Sequence, residues 1–167
     1  MKYLISIILC FLFVLSLYAE TNLIALRTEL NKAAENKQIA ESFFDKMSNI
    51  DEQSQPILLG FKAISILIMG KHSFNPYTKL KYFYWGKGLL DKAIEKDKSL
   101  ELHFFRFAVQ TNIPSFLPYT GDIQTDKEII FSYLPKTKDR DLIKRIVAYM
   151  PSTKYCSEGE IKKLLYD

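Results

Sequence analysis

From Thr21 onward the apolar residues of this chain recur at spacings of three and four, and no strand signal of comparable strength appears. That period belongs to amphipathic helices. Thr21 to Asn36 aligns Leu23, Leu26, Leu30 and Ala33/Ala34, and Lys37 to Met47 aligns Ile39/Ala40, Phe43/Phe44 and Met47. Prolines punctuate the pattern. Pro56 and Pro76 suit the first turns of new helices, with Asn75 as the N-cap before Pro76. Pro114 and Pro118 force a turn, and Pro135 and Pro151 end helices. Thr125 to Glu128 and Ser157 to Glu160 match the capping-box pattern. The expected architecture is all-α, with about eight helices in antiparallel pairs, forming either a tetratricopeptide-like array or an irregular bundle.

Two stretches set the core. Ile57 to Lys71 is the most apolar run after the N-terminus, but its length and central Lys62 fit a buried helix better than a membrane span. Its small residues Gly60, Ala63 and Gly70 let neighbouring axes approach. Residues 77–97 form a long helix with an expected apolar face of Leu80, Phe83, Tyr84, Leu90, Ala93 and Ile94. Trp85, with Tyr77, Tyr82 and Tyr84, is expected in the core. Exposed beside lysines, the same aromatics would instead suit a partner surface. Lys79, Lys81, Lys87, Lys92 and Lys96 read as a solvated face.

The N-terminus speaks to compartment. Lys2 precedes an uncharged run, Tyr3 to Tyr18, that closes in Ser16-Leu17-Tyr18-Ala19 before Glu20. A basic start, an apolar centre and a small residue before a polar one make a secretory signal peptide. Cleavage after Ala19 is favoured over a retained anchor, because the run is shorter than a spanning helix wants. A lipoprotein through Cys10 is disfavoured by the bulky Leu9 before it. The expected mature chain of 148 residues (167 less 19) is the size of one domain, residues 20–167, exported to the periplasm or cell envelope.

Composition narrows the partners. Without Lys2, 22 basic residues face 19 acidic ones, a mild excess with no basic block of the kind that tracks phosphates, so nucleic acid is not expected. Weak contact with anionic membrane surfaces is compatible with this charge but not required by it. Cys156 stands alone beyond residue 19, which excludes an intramolecular disulfide in a cleaved chain and suggests a partly buried thiol. His72, His103 and Cys156 show no close ligand spacing, so neither a metal nor a cofactor is expected. No Gly-x-Ser-x-Gly elbow, Gly-rich phosphate loop or His-Glu-x-x-His occurs, and a Cys156–His dyad could form only in space.

Two resemblances add to this. Gly86-x3-Leu90-x2-Ala93-x4-Lys98, followed by Phe104, Phe107 and Ala108, with Leu59-Gly60 upstream, resembles the spacing of tetratricopeptide repeats. Lys98 stands where proline is usual, and the interval from Gly60 to Gly86 is longer than a standard repeat. Asn75-Pro76-Tyr77-Thr78-Lys79-Leu80, then Glu101-Leu102-His103-Phe104-Phe105-Arg106, then Pro114-Ser115-Phe116-Leu117, resembles a family of small exported Bacteroidota proteins over residues 57–134. That resemblance implies export and a shared pattern, and no activity. His103 departs from it where arginine is expected.

The helix Leu100 to Gln110 holds the main candidate site. His103, Arg106 and Gln110 recur at three and four on one face, amid Leu100, Leu102, Phe104, Phe105, Phe107, Ala108 and Val109. Glu101 points away from that stripe. Either Arg106 pairs with a carboxylate of a neighbouring helix and pins the register, or the stripe lines a groove for a peptide or an acidic group. The candidate partner-binding residues are His103, Arg106 and Gln110, with Asn75 and Lys79 in the adjoining motif. The expected function is an exported module that binds or scaffolds a protein or peptide. A small envelope-associated hydrolase or ligand carrier with a polar pocket between helices is the alternative.

Overall fold

The computed structural model describes residues 23–114 and 116–166, with side chains through residue 162. The segment read as a signal peptide lies outside the described residues. Eight α-helices follow one another: α1 (residues 23–35), α2 (Lys37–Lys46), α3 (Pro56–His72), α4 (Pro76–Lys96), α5 (Leu100–Asn112), α6 (Ile123–Tyr133), α7 (Arg140–Tyr149) and α8 (Glu158–Tyr166). Short 3-10 turns at Leu134–Lys136 and Met150–Ser152 close α6 and α7, each with a proline at its second residue. No strand occurs among the described residues, and the fold is all-α as the periodicity requires.

Helix α3 forms because its apolar residues face in every direction; eight of its seventeen residues are buried. A helix apolar all round must be enclosed by others. Helix α4 runs back along it, with Gly70 beside Lys79 and Tyr82 and Ala63 beside Gly86. Gly86 is what permits this closeness. A methyl group there would stand 2.8 Å from the Ala63 carbonyl oxygen and 2.6 Å from Leu67 Cγ. Lys62, the charge inside α3, turns its Nζ outward to donate to the carbonyls of Ser48 and Ile50. Those carbonyls lie in the turn just past α2.

Caps agree with the sequence at most boundaries. Asn75 Oδ1 accepts from the Tyr77 and Thr78 amides at 2.9 and 3.2 Å, and Pro76 opens α4. Ser157 and Glu160 form the reciprocal box, Ser157 N–H to Glu160 Oε2 at 2.8 Å and Glu160 N–H to Ser157 Oγ at 3.2 Å. The expected box from Thr125 does not form. Helix α6 begins earlier, at Ile123, because Ile123 and Asp126 both turn into the protein. Helix α4 also buries a narrower face than expected, Phe83, Gly86, Leu90, Ala93 and Ile94, and leaves Leu80 and Tyr84 exposed.

Two apolar clusters result, and α5 serves both. Leu102 and Phe105 join α1 to α4, Phe105 meeting Phe61 edge-on at 5.1 Å between centroids. Leu100 and Phe107 point to the opposite side, about 180° around the helix, to join α6, α7 and α8. Between these faces Glu101 meets Arg27 of α1. Arg27 Nε and Nη2 donate to the two oxygens of Glu101, both at 2.7 Å. Its remaining donors reach Asp139 at 2.7 and 3.2 Å and Asp141 at 3.1 Å, at the start of α7. Arg145 completes the group, donating to Asp141 at 2.8 Å and to Thr28 at 3.0 Å. One guanidinium, 3% exposed, thus ties α1, α5 and α7 together.

Two outcomes follow. Gly86→Ala should destabilise by about 1–2 kcal/mol in chemical denaturation, because crowding against a backbone carbonyl outweighs the gain in helix propensity. Gly88→Ala, with nothing within 4 Å, should stabilise by about 0.5–1 kcal/mol. Burial raises the carboxyl pKa values of Asp139 and Asp141, but the arginine hydrogen bonds and charges outweigh it and hold both below the usual range. Their contribution is complete above the unfolded value of about 4 and is lost as pH falls through the lower folded values. Arg27→Met leaves Glu101 buried without its counter-charge and should cost about 3 kcal/mol at pH 7. Melting curves across pH should show that deficit narrowing below about pH 4.

Candidate functional site

The stripe read from the sequence is assembled as expected on α5, and α6 supplies its counterpart. Arg106 Nε and Nη2 each donate at 2.8 Å to Asp126, a fork-to-fork pair. His103 Nδ1 lies 2.7 Å from the same carboxylate. Asp122, at the N-cap of α6, stands 3.5 Å from Arg106 and accepts from Gln110 Nε2 at 3.2 Å. Asp126 is fully buried, His103 and Gln110 nearly so. Of the two readings of Arg106, pairing with a neighbouring carboxylate is the one observed. Burial lowers the pKa of its guanidinium, but the hydrogen bond and charge of Asp126 overcome that and hold it above its ordinary value.

The chemistry of Asp126 fixes the imidazole. An ionised carboxylate paired to arginine can only accept, so His103 Nδ1 carries the proton. That leaves Nε2 as the free position. It is buried and has no hydrogen-bond partner, as is Gln110 Oε1 farther along the stripe. Buried polar atoms left unpaired are costly, and each calls for a reason.

His103 and Arg106 lie on one side of a cleft of about 630 Å³ between α4, α5 and α6. The link between α5 and α6 closes one end through Pro118, Tyr119 and Gly121. Tyr119 fixes this link: its hydroxyl donates to Asp91 Oδ1 at 2.6 Å, and its ring packs edge-on to Phe83. Burial and the Asp91 hydrogen bond push the phenol well above its usual range, so it remains a donor. Lys87 binds the other oxygen of Asp91 at 2.7 Å and sits 4.6 Å over the Tyr119 ring. Glu95 and Lys98 stand at the rim, exposed, and neither joins an ion pair among the described residues. The cleft therefore offers opposite charges at its rim, and the unpaired imidazole nitrogen is buried in one of its lining residues.

The other two candidates are placed elsewhere. Asn75 is consumed by the α4 cap, and Lys79 is exposed near that same end. Sixteen residues of helix, about 24 Å, separate Asn75 from Asp91 in the cleft. They are not part of the His103–Arg106 site. Sequence reasoning missed Lys87, Asp91 and Tyr119, which meet across 28 residues; the only available signal was the Pro114–Pro118 turn that returns the chain to α4. Cys156 belongs to the α6–α8 cluster, and burial pushes its thiol up, against a nucleophilic role. His72 bonds to the Ala33 carbonyl at 2.9 Å. Among the described residues no group of three His, Cys, Asp or Glu could hold a metal ion, and no helix is long and apolar enough to cross a membrane.

Comparison with family models, with curated proteins and with solved structures returns no match to this chain.

Asp126→Asn should destabilise by about 3 kcal/mol, since it leaves Arg106 without its main counter-charge. Urea titrations of that variant, Arg106→Met and the double variant test the coupling. The double variant should cost clearly less than the sum of the singles. Strict additivity would show that the pair does not hold α5 to α6.

Proposed function

We propose that this chain is a binding module of the cell envelope that receives a segment of a partner protein in the cleft between α4, α5 and α6. The observation that carries the reading is the unpartnered His103 Nε2 beside that cleft. With its Nδ1–H donating to Asp126, the imidazole in its neutral form presents a lone pair at Nε2. A ligand amide, hydroxyl or ammonium would satisfy it. Glu95 and Lys98, free of ion pairs among the described residues, offer an acceptor and a donor to the flanks of an extended peptide. Arg106 contributes by holding α5 to α6 rather than by meeting the ligand directly. Export and the tetratricopeptide-like character of the helix pairs belong to the same proposal, supported by the N-terminal segment and by the Gly86–Leu90–Ala93 spacing.

A small polar ligand is the second reading, favoured by the cleft's size, which lies within the range of small-molecule sites. Random peptides selected on the full chain should distinguish the two. Binders measured by calorimetry should weaken about tenfold on Glu95→Lys or Lys98→Glu, a loss of one charge-assisted contact, with melting unchanged. Peptides held equally by the native chain and both variants would remove the cleft from the account.

A further inference from the structure

Three of the aromatic residues expected in the core, Tyr77, Tyr84 and Trp85, are instead exposed on α4. Phe74 is 94% exposed, Tyr77 78%, Tyr84 53% and Trp85 43%, with Leu80 at 40%. These are five of the eight large hydrophobic side chains exposed among the described residues, and they fall within twelve positions. Phe74 stands in the α3–α4 turn. Tyr77, Leu80 and Tyr84 follow at helical spacing along one side of α4, with Trp85 at its edge. Trp85 is held there by Tyr82, stacked at 6.3 Å, and by Phe44, edge-on at 6.1 Å. The cleft begins one turn further along the same helix, at Lys87, and none of these five aromatic and apolar residues lines it.

The stretch of chain that forms this edge carries charge of one sign. Between Glu52 and Asp91 the chain carries no carboxylate but five lysines. Lys79 and Lys81 are exposed and form no ion pair among the described residues, and Lys71, at the end of α3, donates to the Ala34 carbonyl at 2.7 Å. The backbone at the turn is already satisfied. Asn75 takes two of the first amide protons of α4, and Pro76 has none to give. A segment with capped amides, exposed Tyr, Trp and Phe, and unpaired lysines loses little by entering a lipid headgroup layer.

We infer that the edge from Phe74 to Trp85 docks the protein onto an anionic phospholipid surface. The aromatics sit at the headgroup–acyl boundary, Lys81 lies on their side of α4, and Lys79 and Lys71 add positive charge beside the edge. The α4 axis then lies along the membrane.

Trp85 is the only tryptophan, so it reports on this edge alone even in the full chain, whose residues 3–18 form a separate apolar run. The measurement is Trp85 fluorescence with vesicles of phosphatidylcholine containing phosphatidylglycerol, with and without brominated acyl chains. A blue shift and quenching by the brominated lipid are expected, and both should be weak with phosphatidylcholine alone. The double variants Phe74→Ser/Tyr77→Ser and Lys79→Glu/Lys81→Glu, all at exposed positions, should each require about tenfold more lipid for half-maximal change while keeping native helicity. No Trp85 response to the anionic vesicles, or a response that both variants retain, overturns the inference. A response to polyglutamate but not to the vesicles also overturns it and assigns the edge to an acidic protein.

Discussion

Helix α5 is enclosed on every side, yet it carries Glu101, His103, Arg106 and Gln110, and a buried charge must be paired or it unfolds what surrounds it. The arrangement of the other helices answers that constraint. Arg27 comes from α1 to neutralise Glu101, and Asp126 comes from α6 to neutralise Arg106. The two apolar sectors of α5 then join the N-terminal and C-terminal clusters. Hydrophobic burial is non-directional and would accept several registers of one helix against another. A bidentate guanidinium–carboxylate pair accepts very few.

The same constraint shapes the cleft. Asp126 satisfies Arg106 and one nitrogen of His103 and has no capacity to reach the other. The α5–α6 link, pinned to α4 by Tyr119 and Asp91, holds the wall opposite the stripe instead of collapsing onto it. The unpaired nitrogen is therefore a consequence of how the neighbouring charges are satisfied. A site of this kind has rigid walls, because each of its charged residues except those at the rim already has a partner.

Much of this was legible in the residues. Leu26, Leu30, Phe43, Leu90 and Ile146 are buried as their spacing requires, and Asn75 and the Ser157–Glu160 pair cap their helices. The sharing of one face by His103, Arg106 and Gln110 followed from helical geometry alone. Misread were Thr125 as a cap and Leu80, Tyr84 and Trp85 as core. The first failed because α6 already begins at Ile123, with Asp122 at its N-cap, which leaves Thr125 inside the helix. The second failed because α3 ends at His72 and offers nothing to cover the outer side of the first turns of α4. Periodicity tells which residues share a face; it does not tell whether another helix lies against that face.

The sequence by itself determined the all-α class, the helix boundaries to within a few residues, and the grouping of polar side chains along α5. Those follow from local rules of period, capping and proline geometry that act within one or two turns. Only the tertiary structure decided that Arg27, 74 residues from Glu101 and 112 from Asp139, binds both. It also decided that Asp91 meets Tyr119 and that the aromatic edge of α4 is left bare. Such pairings depend on where helices pack, and packing is set by the summed burial and charge satisfaction of the whole chain, which no local pattern encodes.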